Sequence, residues 1–266
     1  MQPDLRLTEI NIYPLKSVAG ITQQSWPLEA RGLRYDRRWM LVDAEGHFLT
    51  QRQQPRMALI QTKLTDSELL LSAPDVAPLS IPFHGEGETR RVKVWGDECQ
   101  ALRCGDSAAN WFRQLLQIEC ELVQMPDDEQ RLVDEHYAQA HDEVGFADGF
   151  PLLLIGQASL DELNSRLQTP IEMRRFRPNL VIAGAEPFAE DQWKKIMVGG
   201  LSFRVVKPCS RCIIPCVDPE TGERGKEPLK TLASYRRRDN KIRFGQNLIQ
   251  DGRGVLRLDQ PVSIEI

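Results

Sequence analysis

Lys207-Pro208-Cys209-Ser210-Arg211-Cys212-Ile213-Ile214-Pro215-Cys216 places three cysteines within eight residues. The run follows Leu201–Val206, an apolar stretch whose length and content predict a strand. A thiolate is a soft ligand for a transition metal, and Lys207 and Arg211 favour the ionised form of a neighbouring thiol. The spacing alone admits four chemistries: a zinc site, an iron–sulfur cluster, a redox dithiol or a single metal thiolate. Structural zinc wants four Cys or His ligands, often as short-spaced pairs. There is no second Cys-x-x-Cys pair, and His47, His84, His136 and His141 show no zinc-ligand spacing. An iron–sulfur cluster needs a fourth cysteine, and none is evident. Both of these readings lose ground.

Upstream, the first hundred residues predict short strands separated by turns. Leu5 and Leu7, then Ile10 and Ile12, keep period-two spacing, and Trp39–Val42 predicts another strand ending in a turn at Asp43–Gly46. Leu69–Leu71, Ile81–Phe83 and Val92–Trp95 continue the series, which suggests a barrel or coiled sheet. Ser107 is a candidate cap for a helix carrying Ala108, Trp111, Phe112 and Leu115 on one face. Ile118–Val123 predicts a strand, and Met125–Asp148 a polar loop that divides the chain into residues 1–125 and 126–266. In the second half, Phe150–Ile155 and Asn179–Ala183 predict strands, and Val255–Ile266 two more. Ser159 and Glu162 have capping-box spacing for a helix bearing Leu160, Leu163 and Leu167. The fold class that follows is α+β and β-rich: a strand-rich N-terminal domain packed on a second β-rich domain with short helices.

Composition is that of an ordinary globular protein, with a formal charge of −4. That balance excludes a general electrostatic nucleic-acid binder. Charge is nevertheless segregated. Residues 127–143 are acidic around Arg131, and 224–243 carry Arg224, Lys226, Lys230, Arg236, Arg237, Arg238, Lys241 and Arg243. The basic stretch either lies on a solvated face, helps hold an anionic ligand, or docks an acidic redox partner. The N-terminus lacks a basic head followed by an apolar core, and no apolar run approaches the ~20 residues of a membrane span. Six cysteines without a secretory signal read as reduced thiols, so the expected location is cytoplasmic, with no membrane partner.

Several motifs, taken together, resemble the MOSC domain family. They are Cys209 through Cys-Ile-Ile-Pro-Cys-Val-Asp-Pro-Glu-Thr-Gly, Lys226-Glu227-Pro228-Leu229-Lys230-Thr231-Leu232 and Phe244-Gly245-Gln246-Asn247. The first half adds Tyr13-Pro14-Leu15-Lys16-Ser17, Gly32-Leu33, Asp36-Arg37-Arg38-Trp39 and Thr50-Gln51-Arg52-Gln53; Phe176-Arg177-Pro178-Asn179 completes the set. The likeness spans essentially the whole chain in one order. It is strongest to the branch of bacterial YcbX-type proteins and the mitochondrial amidoxime-reducing component.

That resemblance implies a MOSC β-barrel, a molybdenum cofactor (Mo-molybdopterin) and Cys212 as the metal ligand. It implies Lys16, Ser17, Arg37, Arg177, Asn179, Ser210 and Arg211 as contacts to the pterin and its phosphate. Cations and neutral donors suit such a ligand, because arginine binds phosphate through paired charge-assisted bonds. The family's segment before the second-half strand corresponds to Asp148-Gly149-Phe150, with Asp148 a candidate for proton delivery. A serine often stands where this chain has Phe150, so no hydroxyl contact is expected there. The implied activity is two-electron reduction of N-hydroxylated small molecules, with electrons from an iron–sulfur or flavin donor. A carrier of persulfide or cofactor on Cys212 is the alternative, and a zinc or redox-switch module on Cys209, Cys212 and Cys216 a third reading.

Overall fold

The computed structural model describes residues 4–84 and 87–266; the first three residues of the N-terminal stretch read above lie outside it. Strands in the first half are β1 Arg6–Ile12, β2 Ile21–Gln23, β3 Ser25–Glu29, β4 Gly32–Leu33, β5 Trp39–Val42, β6 Gln61–Leu64, β7 Glu68–Ala73, β8 Val76–Pro82, β9 Thr89–Val94, β10 Asp97–Arg103 and β11 Glu121–Gln124. Helix α1, Asp106–Leu116, precedes β11. The second half holds β12 Leu152–Gly156, α2 Gln157–Arg166, β13 Leu180–Ala183, β14 Lys195–Val198, β15 Leu201–Ser210, α3 Leu229–Tyr235, β16 Arg237–Arg238, β17 Lys241–Gln250, β18 Gly254–Arg257 and β19 Val262–Glu265.

These strands make an α+β, β-rich architecture with one dominant sheet, ordered β19-β14-β15-β17-β12-β13-β1-β2, with β16 paired to β17. Its last two strands come from the first half. Ile10 of β1 lies opposite Leu180 of β13, and β12 runs parallel to β13. A smaller sheet mixes the halves again, because β18 pairs with β3. Leu7, Ile10, Leu154, Ile182, Phe203 and Leu248 form a core on one face of the large sheet. Ile155, Leu160, Leu163, Phe176 and Phe244 form one under α2 and α3. A third core, with Trp39, Leu41, Phe112, Leu115 and Leu122, belongs to the first half.

Two expected helix caps are corrected. Helix α1 presents the expected apolar face, yet its N-cap is Gly105 at φ 86°, and Ser107 lies inside the first turn. Helix α2 has no capping box. Gly156 is its N-cap, and the Ser159 hydroxyl donates to the buried Glu190 carboxylate, which also accepts the Gly156 N–H at 3.1 Å. A remote carboxylate at the positive end of the helix replaces the local motif. The strand expected from Ile118 begins three residues later, because Gln117 leaves α1 in a left-handed conformation at φ 56°.

Candidate functional site

After β1 the chain is zipped to the approach to β5. Arg37 N–H donates to Tyr13 O, Trp39 N–H to Pro14 O and Lys16 N–H to Trp39 O. This fixes Lys16, Ser17 and Arg37 beside one another although they lie outside regular strands. From the opposite side, β15 runs out at Ser210, and Arg211 N–H donates to Ile242 O before the chain turns at Cys212. The Asn179 N–H donates to Leu153 O at the start of β13. Together these segments wall a cavity of about 760 Å³. All nine residues implied by the resemblance line it: Lys16, Ser17, Arg37, Asp148, Arg177, Asn179, Ser210, Arg211 and Cys212.

One part of this wall is fully engaged with protein. The Lys16 ammonium is 5% exposed; it donates to Phe146 O at 2.7 Å and pairs with Asp148. Burial pushes the Lys16 ammonium below its ordinary pKa, against the pull of Asp148. Asp148 responds oppositely. Burial by itself would raise its carboxyl, but Lys16 and Arg52 hold it well below the usual carboxylate range. Its side chain still opens on the cavity and stays 56% reachable by water. Asn179 is buried, and its amide accepts from Arg37 and from Leu153 N–H while donating to Asn11 O. Its position is thus to hold Arg37 and the two strands in register.

The rest is different. Arg37 and Arg177 both lie 4.3 Å from the Tyr13 ring, and Arg37 pairs with buried Asp36. Arg177 donates to Val18 O but makes no ion pair among the described residues. Burial, then the neighbouring Arg37, lower its pKa to about 10. Arg211 donates to Phe176 O and towards Cys209 Sγ, while its Nε is buried without a partner. Lys207 rests 4.2 Å from the Tyr137 ring and 5.6 Å from Phe150, the position where a serine is often found. Buried cations and orphaned N–H groups are costly unless an anion meets them. Ser17, Arg37 and Arg177 also have positive φ (66°, 46° and 58°), a strain that persists only where surrounding contacts enforce it.

The three clustered cysteines part company. Cys216 is buried, its thiol near Lys226 O, and burial raises its pKa. Cys209, which accepts from Arg211, and Cys212 both stand partly exposed in the cavity wall. Among the described residues the only trio of candidate metal-ligand atoms within 4.8 Å of one another is Asp43, Glu45 and His47, in a surface turn. The cysteines therefore do not form a three-thiolate cluster: Cys209 and Cys212 reach the cavity, and Cys216 is buried away from it.

Sequence reasoning missed Arg131. Its side chain is 3% exposed, pairs with Asp97 at 2.8 Å and donates to the carbonyls of Gly145, Ala147 and Asp148. It fixes the segment that carries Asp148. The only available signal was its isolation as the one basic residue in an acidic stretch.

A cation-rich cleft lies between the two β-rich halves, with the partly exposed thiols of Cys209 and Cys212 in its wall, and its charge suits an anionic ligand. Residues 4–119 match the MOSC N-terminal beta barrel domain, and residues 141–263 match the MOSC domain. Mitochondrial amidoxime-reducing component 1 of Mus musculus is 35% identical over 96% of this chain and 81% of its own length. The Homo sapiens protein of that name is 33% identical over 96% and 82%. The molybdenum cofactor sulfurase of Oryza sativa subsp. japonica is 36% identical over 91% of this chain but only 32% of its own. This chain belongs to the MOSC domain family, with the N-terminal barrel domain joined to the MOSC domain. Among the described residues no helix is long and apolar enough to cross a membrane.

Proposed function

We propose that this chain binds the molybdenum cofactor in the cavity between its halves, with the Cys212 thiolate as protein ligand, and reduces N-hydroxylated small molecules. The observation that carries the reading is the convergence of nine residues, spread from Lys16 to Cys212, on one cavity with unpaired cations and the partly exposed Cys212 thiol. The donor set fits the group. Arg177 and Arg211 offer guanidinium N–H to a phosphate, Lys16 keeps one ammonium proton free after its two protein contacts, and Ser17 and Ser210 add neutral donors. When bound, the molybdenum supplies a two-electron centre able to take oxygen from nitrogen.

The chain's own residues bind, orient and manage protons. Asp148 is ionised at neutral pH, so it accepts a hydrogen bond from a substrate N–OH and does not act as the initial acid. The proton beside it is held on Lys16 Nζ, whose burial eases its release. Arg131 keeps the Asp148 segment in place. Electrons come from an iron–sulfur or flavin donor, and a cytoplasmic setting, with all six cysteines free, belongs to the same proposal.

The test is molybdenum and pterin content of protein from a cofactor-competent host, wild type beside Cys212→Ala, followed by reduction of benzamidoxime with a chemical reductant. Near-stoichiometric molybdenum, lost at least ten-fold in the variant, is expected. Well-folded wild type without molybdenum, or a variant that retains it, overturns the ligand assignment. Loaded protein that reduces no N-hydroxylated compound favours the carrier reading, which the resemblance to the rice sulfurase supports, and persulfide on Cys212 would then be sought.

A further inference from the structure

Beyond the cavity, a ladder of cations and rings leads from its floor to the surface. Lys16 Nζ lies 5.0 Å from the Phe48 ring, Arg52 is 5.6 Å from the same ring, and Arg52 is 4.7 Å from Trp95. Phe48 and Trp95 meet edge to face at 5.2 Å. Arg52 also reaches Asp148 at 4.0 Å, which ties the outer end of the ladder to the site. Trp95 itself is 57% exposed.

Its backbone is equally unusual. Val94 pairs with Asp97, so Trp95-Gly96 is the two-residue turn joining β9 to β10, and Trp95 has φ 58°. Turns of this kind need positive φ at the first central residue and favour Gly, Asn or Asp there. A bulky aromatic at that place opposes local preference, and it is held there by Phe48, Arg52 and a hydrogen bond to Asp148 while more than half of it stays exposed; departures of this kind mark functional positions. Leu132 is also 57% exposed and lines the cavity, and the Asp97–Arg131 ion pair holds its segment beside the Trp95 turn. Leu132 on the lip of this polar cavity and Trp95 just outside it, bonded to the lining residue Asp148, are thus two exposed apolar side chains, one of them planar.

We propose that Trp95, flanked by Leu132, is the rest on which the flat apolar part of an N-hydroxylated substrate stacks. The inference rests on the reductase reading above. It assigns planar aromatic amidoximes and N-hydroxylated bases as preferred over small hydroxylamines. Arg52 braces the indole from its Phe48 side and draws Asp148 to the same edge, so a stacked ring presents its N–OH group towards the cavity.

Trp95→Asn suits the test because asparagine tolerates the left-handed turn and the fold is kept. On cofactor-loaded protein, kcat/KM is measured for benzamidoxime and for hydroxylamine, and benzamidoxime binding is titrated calorimetrically; Trp95→Phe is run in parallel. The benzamidoxime-to-hydroxylamine ratio is expected to fall about five-fold in Trp95→Asn, with a matching loss of binding, and to recover in Trp95→Phe, as one aromatic stack predicts. Turnover of both compounds with an unaltered ratio overturns the stacking role and leaves the reductase reading intact. Weaker binding in Trp95→Asn with no turnover by wild type supports the rest while the reductase reading fails. Wild type that does not bind benzamidoxime overturns the inference.

Discussion

Arg131 and Arg177 line the same cavity and are built in opposite ways. Arg131 is saturated: one carboxylate and three backbone carbonyls take its N–H groups, and water hardly reaches it. Arg177 has one carbonyl, the face of Tyr13 and a cationic neighbour, and its proton is held less firmly than on an ordinary arginine. A cation whose bonds are complete serves the fold. One buried without an anion serves whatever brings the anion.

The largest expected effect is on the saturated residue. Arg131→Met leaves three carbonyls and Asp97 without their donor, a loss of about 3–5 kcal/mol, so the melting temperature should fall by on the order of 10 °C. A fall below about 2 °C would remove Arg131 from the scaffold and erase the contrast. Arg177→Met should leave the melting temperature of cofactor-free protein within about 2 °C of wild type, because lost stacking on Tyr13 is offset by relief of a buried charge. Cofactor retention, measured as pterin left after gel filtration, should fall about ten-fold, the share of one charge-assisted contact. Strong destabilisation with cofactor retained would assign Arg177 to the fold instead.

The smallest effect is at the edge between the two arginines. The folded-state carboxyl of Asp148 lies below its unfolded value, so its stabilising contribution is present above about pH 4 and fades as pH falls through that range. Asp148→Asn should therefore be less stable than wild type at pH 7, and the gap should close between about pH 4 and pH 2 in denaturant titrations. Because the side chain is more than half exposed, the gap should stay under about 1 kcal/mol. A gap that widens in acid would mean that Asp148 is not held as an anion.

Legibility followed the range of the interactions. The apolar strands and the face of α1 are local patterns, and each reads from neighbours in sequence. That nine distant residues line one cavity was legible only through an ordered set of motifs; spacing alone left four chemistries open for Cys212. Where a side chain's partner is remote, local rules mislead. Ser159 and Glu162 have the spacing of a capping box, but the hydroxyl goes to Glu190, which no local rule can anticipate. Arg131 reads as a solvated cation because Asp97 and the carbonyls of 145–148 meet it only in the folded chain. Strand β17 escaped notice because Gly245, Gln246 and Asn247 interrupt the alternation that Lys241–Phe244 begins, although its later residues are buried at the centre of the sheet.

The pairing of β1 with β13 has a consequence for how the molecule comes into being. β1 can pair with β2 soon after both are made, but its partner on the other side, β13, ends only at Ala183, more than two thirds of the way along this sequence. Contacts so distant in sequence slow folding, since the intervening chain must be gathered before they form. Until then Leu7, Ile10 and Ile12 lack the second-half side chains, Leu154, Ile182 and Leu248 among them, that complete their core. Closure of β1 onto β13 is also what brings Lys16 to the cysteine wall, so the binding cavity comes together only late in folding.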